Sequence, residues 1–127
     1  MPFSSDSGKA AIRRIMGRIK PQTGLDVGCG AGALTESILE RAAPAQVRGV
    51  DPSFAQISSA LSRLGGRVAD FHVGDGAALP FTDRSFDAVV SGLTLNFIGD
   101  PHRALAEKAR VARPGGLIAA YVWDFSA

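Results

Sequence analysis

Apolar residues recur along the chain at two spacings, one typical of helices and the other of strands. From Ser7 to Lys20 they fall on one face of a helix, at Ile12, Ile15, Met16 and Ile19. We predict an amphipathic helix there that docks on the rest of the chain through this face. The basic residues on its other sides are predicted to be solvated.

Beyond Pro21, short apolar runs bounded by turn residues alternate with segments of helical spacing. The predicted strands are a run opened by Gly24, then Val47–Val50, Val68–Val73, Phe86–Ser91 and Leu117–Trp123. The predicted helices are Ala31–Ala43, a segment capped by Ser53 and ended by Gly65, and a segment begun by Pro101 and broken by Pro114. This alternation predicts an α/β fold, in which helices cover both faces of a doubly wound, Rossmann-like parallel sheet.

The segment Leu25–Thr35 lies between the first predicted strand and the helix that follows it. Glycines at positions 28, 30 and 32 alternate there with small residues, so the backbone can approach a ligand closely. Asp26 stands two residues before the first of these glycines and brings a negative charge to the turn. We therefore expect this turn to bind a cation more favourably than a pyrophosphate.

Acidic residues follow the second and third predicted strands, at Asp51 and Asp75. Ligands of doubly wound sheets bind at the carboxyl ends of the strands, so both acids belong to one predicted site. Asp51 comes about twenty residues after the glycine turn, where a carboxylate can accept from both hydroxyls of a ribose. Asp75 can accept from the exocyclic amine of a base, and the pair together indicates an adenosine group.

The glycine turn leaves a second class of nucleotide binder open. Gly28 to Ala33 satisfies the pattern G-x-G-x-x-G/A, which is typical of dinucleotide-binding oxidoreductases. The glycines by themselves do not separate such an enzyme from one that binds another adenosine-containing cofactor.

The composition is that of a globular domain, and it gives no indication of a nucleic-acid-binding or membrane-spanning protein. The 127 residues, 46% hydrophobic and 20% charged, suit one domain. A net charge of +2 does not indicate a nucleic-acid partner, and no segment resembles a membrane span or a signal peptide, so we predict a soluble, cytoplasmic protein. The single cysteine, Cys29, cannot form an internal disulfide or by itself a metal site, and we predict that it is buried.

Three stretches carry a resemblance to a known family: Asp26–Gly32, of the form D-x-G-x-G-x-G, Leu79–Val90 and Arg113–Leu117. Together with Asp51 and Asp75 they make the chain similar to the class I S-adenosylmethionine-dependent methyltransferases, in the group that includes the ubiquinone and menaquinone C-methyltransferases. The resemblance runs from about Leu25 to Tyr121. It implies the strand order 3-2-1-4-5, and it favours a methyltransferase over the oxidoreductase.

The resemblance further implies S-adenosylmethionine as the cofactor and a binding site at the ends of the first four strands. The implied residues are Asp26, Gly28 and Gly30 for the methionine portion, Asp51 for the ribose hydroxyls, Pro52 and Ser53 beside the adenine, Asp75, Gly76 and Ala77 for its amino edge, and Ser91 and Gly92 beside the sulfonium.

The acceptor side of the reaction is less defined by the sequence. Asn96 and Phe97 could face an acceptor, which we expect to be a small molecule, because nothing resembles a nucleic-acid-binding module. Methyl transfer from a sulfonium needs alignment more than it needs a base, so no catalytic residue is assigned. His102, in the first turn of a predicted helix, is expected to be an exposed surface residue.

Members of this family continue with two further strands, whereas this sequence stops at Ala127, soon after the fifth. We therefore expect a fragment of a longer methyltransferase, with an apolar fifth strand at the sheet edge that could pair with a second copy in a homodimer. A cofactor-binding or assembly module without turnover is the alternative function.

Overall fold

A computed structural model describes residues 5–19, 21–94 and 101–123 of the chain. Helices and strands follow one another in the predicted order, and β3 leads to β4 without a helix between them. They are α1 (Ser5–Ile19), β1 (Thr23–Val27), α2 (Ala33–Ala42), β2 (Gln46–Asp51), α3 (Phe54–Leu64), β3 (Ala69–Val73), β4 (Phe86–Thr94), α4 (Pro101–Val111) and β5 (Ala112–Trp123). Across these described ranges, none of the helices combines the length and the apolar character that a membrane span requires.

The strands form one sheet in the order β3-β2-β1-β4-β5, and every neighbouring pair is parallel. This confirms the predicted fold class and strand order. The order reverses beside β1, which lies between β2 and β4. In such a sheet the loops that leave the carboxyl ends of the two central strands diverge, and the crevice between them is where ligands bind.

Apolar side chains on both faces of the sheet form the core, because successive residues of a strand point to opposite faces. One face packs against α1 and α2 through Ile12, Met16, Leu34, Ile38, Val47 and Val90. The other packs against α4 and the segment before β4 through Leu25, Val27, Leu79, Val89 and Val111. The predicted docking face of α1 is confirmed at Ile12 and Met16, whereas Ile15 is 38% exposed at its margin.

Two predicted strand boundaries are wrong. The sequence predicted that β4 ends at Ser91 with a turn after it, but β4 continues to Thr94, because Gly92 and the two residues after it pair with β5. The fifth strand was predicted to begin at Leu117, but β5 begins at Ala112 and bulges before the pairing resumes at Leu117. In both cases pairing between strands outweighs local turn preference.

The end of α4 and the start of α2 also have identifiable causes. The amides of Arg84 and Ser85 donate to the last carbonyls of α4, at 2.9 and 2.8 Å, so the chain leaves the helix at Val111, before Pro114. The helix α2 begins two residues later than predicted, because Gly32 precedes it in the left-handed conformation with φ +97°.

Asp87 ties the amino-terminal ends of β1 and β4 together. Its Oδ2 accepts from the amides of Gln22 and Thr23, at 3.0 and 3.2 Å, and its Oδ1 accepts from Arg113 Nη1 at 2.7 Å. Burial acts to raise the pKa of the Asp87 carboxyl, but these donors outweigh burial and hold the pKa below its ordinary value. The ionised carboxylate is therefore the form that holds the strands.

We expect Asp87→Asn to lower the free energy of unfolding at pH 7 by about 1 kcal/mol, because an amide nitrogen cannot accept from Arg113 or the strand amides. The folded-state pKa lies below that of the unfolded chain, so the stabilisation is present above about pH 4 and is lost as the pH falls through the folded-state value. Urea titrations between pH 7 and pH 3 should show the deficit of the variant shrinking in acid. A deficit of constant size would contradict the role of the charge.

Candidate functional site

The glycine turn between β1 and α2 folds back onto the end of β2. The amides of Gly28 and Cys29 both donate to the carbonyl of Val50, at 2.7 and 3.1 Å. Gly30 has a φ angle of +56°, in the left-handed region that favours glycine. The turn therefore lies at the carboxyl ends of β1 and β2, where a ligand of this kind of sheet binds.

Gly30 and Gly32 differ in what surrounds them. Within the described chain, a Cβ at Gly30 would meet no heavy atom closer than 4 Å, so this part of the turn borders open space. A Cβ at Gly32 would come within 2.8 Å of Leu64 Cδ1 and 3.6 Å of Ala60 Cβ, because the turn packs there on α3. Gly30 thus offers room for a ligand, and Gly32 serves packing.

Asp51, the last residue of β2, contacts the glycine turn directly. Its Oδ2 accepts from the Gly30 amide at 3.0 Å, and its Oδ1 accepts from the Ser53 amide at 2.9 Å. Each carboxylate oxygen can accept about two hydrogen bonds, so each keeps one acceptor position. Ser53 also caps α3, since its hydroxyl accepts from the Gln56 amide at 3.3 Å, which confirms the predicted cap. Pro52, which lies between Asp51 and Ser53 in the sequence, is exposed.

A second carboxylate, that of Asp26, lies beneath the turn and is 1% exposed. Its Oδ2 accepts from the hydroxyl of Thr35 at 2.7 Å, which joins β1 to the first turn of α2. The sequence did not predict a role for Thr35, because the spacing of apolar residues does not single out a threonine near the start of a helix. The available signal was a hydroxyl nine residues after a strand-end acid.

Cys29 lies within the glycine turn. Its side chain is buried, as predicted, and burial raises the pKa of its thiol. The negative charges of Asp26 and Asp51 raise that pKa further. Ionised carboxylates at these two positions would favour a bound cation over a pyrophosphate.

The loop after β3 brings Asp75, Gly76 and Ala77 to the same edge of the sheet. Asp75 Oδ1 accepts from the Ala77 amide at 2.8 Å, while Oδ2 has no hydrogen-bond partner in the part of the chain that the structure describes. A Cβ at Gly76 would lie 3.2 Å from Val27 Cγ1, so the loop reaches the end of β1. The structure thus places an acid with free acceptor positions close to the glycine turn.

Ser91 and Gly92 lie within β4 rather than in a turn after it. Ser91 pairs with Val27, the last residue of β1, and Gly92 continues past that strand. The side chain of Ser91 is fully buried, and its hydroxyl has no hydrogen-bond partner among the described residues. A buried hydroxyl without a partner is unfavourable by about 1–3 kcal/mol, so the described residues leave one hydrogen bond of this group open.

Asn96 and Phe97 lie outside the described residues. His102 is exposed on α4, in agreement with the expectation of a surface histidine.

A glycine turn flanked by strand-end acids, in a parallel sheet of order 3-2-1-4-5, defines a Rossmann-like domain for an adenosine-containing cofactor. Among known families, the methyltransferase domain family matches residues 25–120. The chain belongs to this family, which confirms the predicted resemblance to class I S-adenosylmethionine-dependent methyltransferases.

Relatives share the matched region but are longer. A demethylmenaquinone methyltransferase of Roseiflexus castenholzii is 38% identical over 95 residues, which are 75% of this chain and 40% of the relative. Malonyl-[acyl-carrier protein] O-methyltransferase 1 of Coxiella burnetii is 38% identical over 101 residues, which are 80% of this chain and 33% of the relative. The chain therefore spans 40% or less of the length of both.

Among solved structures, the chain resembles SAM-bound CalS10, an amino pentose methyltransferase from Micromonospora echinaspora involved in calicheamicin biosynthesis. The sequences are 29% identical, and the TM-score is 0.78. The likeness covers 98% of this chain and 53% of CalS10, so the shared part is the sheet with its flanking helices.

We expect Gly30→Ala to weaken binding of S-adenosylhomocysteine at least about tenfold, because the added methyl group occupies the open space beside Asp51. The free energy of unfolding should fall by only about 1 kcal/mol, the strain of a left-handed alanine. Calorimetric titration gives the affinity, and urea unfolding gives the stability.

Gly115→Ala is the matched control. Gly115 also has a positive φ, +79°, and within the described residues a Cβ there would meet no heavy atom closer than 4 Å. It lies near the amino ends of β4 and β5, whereas the glycine turn lies at the carboxyl ends of the strands. This variant should show the same loss of stability with unchanged affinity, and an equal loss of affinity in both variants would show that Gly30 does not border the ligand.

Proposed function

We propose that this chain binds S-adenosylmethionine at the carboxyl ends of β1, β2, β3 and β4 and directs its methyl group to a small-molecule acceptor. The position of two strand-end carboxylates at the glycine turn, Asp26 beneath it and Asp51 beside it, carries the proposal. A sulfonium and an ammonium are cations, whereas the pyrophosphate of a dinucleotide is an anion. Membership of the methyltransferase domain family supports the same choice.

The adenosine half of the cofactor is assigned to the ends of β2 and β3. Asp51 offers its two remaining acceptor positions to the ribose hydroxyls, since its other two hold backbone amides. Pro52 and Ser53 follow directly and are assigned to the adenine. Asp75, with the backbone of Gly76–Ala77, is assigned to the amino edge of the base, because its Oδ2 offers acceptor positions at that edge of the sheet.

The methionine half is assigned to the glycine turn and the end of β4. Gly28 and Gly30 present backbone without side chains, and the buried charge of Asp26 favours the ammonium. Ser91 and Gly92 are assigned to the sulfonium end. Two observations support the fit: the open space beside Gly30 and the Ser91 hydroxyl, which the described residues leave without a partner.

S-adenosylmethionine supplies a methyl group that its sulfonium has already activated. The residues of the chain therefore bind the reactants, align them and exclude water, and alignment of this kind can contribute about 7–11 kcal/mol to lowering a barrier. A base is required only by an acceptor that must lose a proton before attack. The proposal accordingly includes no catalytic base.

The acceptor is proposed to be recognised by segments outside the matched region. The names of the three relatives refer to demethylmenaquinone, malonyl-[acyl-carrier protein] and an amino pentose, although all three share this region with the chain. A shared cofactor half combined with different acceptors is expected when function resides in sites added to a common fold.

A second candidate function is a cofactor-binding or assembly module without turnover. It would use the same glycine turn and Asp51, so the observations on the cofactor site apply to it equally. Calorimetry combined with a methyl-transfer assay on candidate acceptors separates the two, because the module binds S-adenosylmethionine without consuming it.

The cytoplasm is the proposed location, and a homodimer is the proposed assembly. Among the described strands β5 lies at the edge of the sheet, and Ile118 on it is 40% exposed. An apolar edge strand of this kind can extend its sheet onto a second copy.

Asp51→Asn should weaken binding of S-adenosylmethionine about tenfold or more, because the amide keeps only one acceptor oxygen and removes the negative charge. Calorimetry at pH 7 measures the loss. Asp70→Asn, on the neighbouring strand β3, is the control: its carboxylate accepts from the Phe71 amide at 2.9 Å, away from the glycine turn, and affinity should not change. Tight binding of NADH by the natural chain without binding of S-adenosylmethionine would refute the proposed function.

Ser91→Ala should act in opposite directions on stability and affinity. Without ligand, removal of a buried hydroxyl that the described residues do not satisfy should leave the free energy of unfolding unchanged or raise it by about 1 kcal/mol. Affinity for S-adenosylmethionine should fall several-fold, because the hydrogen bond to the ligand is lost. Thermal melts with and without ligand measure both effects, and an unchanged affinity would remove Ser91 from the site.

A further inference from the structure

Two side chains of α4 hold the segment that follows the Asp75–Ala77 loop. Glu107 Oε1 accepts from the Leu79 amide at 2.8 Å, and Arg110 Nη2 donates to the Leu79 carbonyl at 3.1 Å. The side chain of Leu79 is 5% exposed and packs in the core. Leu79 is therefore held by both polar groups of its backbone and by its side chain.

Arg110 makes contacts in several directions at once. Its Nη1 donates to the Phe81 carbonyl and to Asp83 Oδ1, each at 2.8 Å, and its Nε donates to Glu107 Oε2 at 2.6 Å. The planar guanidinium makes these contacts simultaneously, which the single nitrogen of a lysine cannot do. Arg110 also lowers the pKa of the Glu107 carboxyl, so the pair stays ionised at neutral pH.

Leu79 is close enough to the loop to control its geometry. The Ala78 amide donates to the Asp75 carbonyl at 3.0 Å, and the Ala77 amide donates to the Asp75 carboxylate at 2.8 Å. Leu79 follows Ala78 directly and packs in the same cluster as Val27, at the end of β1. The loop that carries Asp75 therefore lies between the end of β3 and the anchored backbone of Leu79.

We propose that Glu107 and Arg110 are positioning residues that fix the Asp75–Ala77 loop for recognition of the amino edge of adenine. The inference rests on the proposed function, because it requires that this loop contacts the base. The two side chains would act on the ligand indirectly, through the backbone of Leu79 that both of them hold. Their removal should therefore change selectivity for the base as well as stability.

Arg110→Lys and Glu107→Gln test the inference with two probes, S-adenosylhomocysteine and its analogue whose purine lacks the 6-amino group. The natural chain should bind S-adenosylhomocysteine about tenfold more tightly than the analogue, because the analogue leaves acceptors of the loop unpaired. In both variants affinity for S-adenosylhomocysteine should fall about tenfold and affinity for the analogue less than about threefold, so the preference is lost.

Arg113→Lys is the matched control, because the ion pair of Arg113 is with Asp87 at the amino end of β4. This variant should keep the preference of the natural chain. Hydrogen exchange at the Leu79 amide gives a second measurement, which should become faster in Glu107→Gln and stay unchanged in Arg113→Lys. If Arg110→Lys does not fold, Glu107→Gln alone decides the outcome.

The outcomes separate the inference from the function on which it rests. If the natural chain prefers S-adenosylhomocysteine and both variants keep that preference, the positioning role is overturned and the proposed function stands. If the natural chain binds both probes equally, the assignment of the loop to the base is overturned together with the inference. If it binds neither probe, the proposed function fails and the inference fails with it.

Discussion

The hydrogen bond from the Gly30 amide to the Asp51 carboxylate joins the glycine turn to β2 and so defines the site. It is 3.0 Å long and closes the turn over the end of the strand. The same carboxylate holds the Ser53 amide, where α3 begins. One side chain thereby sets the turn, the strand end and the helix start relative to each other. Because both of its oxygens already accept an amide, Asp51 is held in one orientation, and little freedom remains to be lost when a ligand binds.

The charge that shapes the turn also selects what the turn can hold. Burial raises the pKa of the Cys29 thiol, and the charges of Asp26 and Asp51 raise it further. Two carboxylates close to one turn repel each other, and a cation relieves that repulsion. The electrostatics therefore distinguish between two cofactor classes that share the glycine pattern. A pyrophosphate would add to the repulsion, whereas a sulfonium with its ammonium would remove it.

The two ends of the sheet differ in how completely their polar groups are paired. At the amino ends, the Asp87 carboxylate accepts from two backbone amides and from Arg113, so residues of the chain pair both of its oxygens. At the carboxyl ends, the buried hydroxyl of Ser91 has no partner among the described residues, and Asp51 keeps acceptor positions. Satisfied groups stabilise the fold, while unsatisfied groups at a ligand-binding edge are a cost that a bound ligand offsets.

Hydrophobic spacing and the conformation of a few adjacent residues are enough to predict the order of helices and strands, the glycine turn and the cap at Ser53. Resemblance to a family supplied the strand order. The continuation of β4 through Gly92 follows from packing, because pairing with β5 outweighs a local turn preference. Packing also brings the Thr35 hydroxyl to Asp26. It brings Arg110 to the carbonyls of Phe81 and Leu79, which lie 29 and 31 positions earlier in the chain. Hydrogen bonds between residues so far apart leave no periodic pattern in a sequence, and they exist only once the strands and helices have packed.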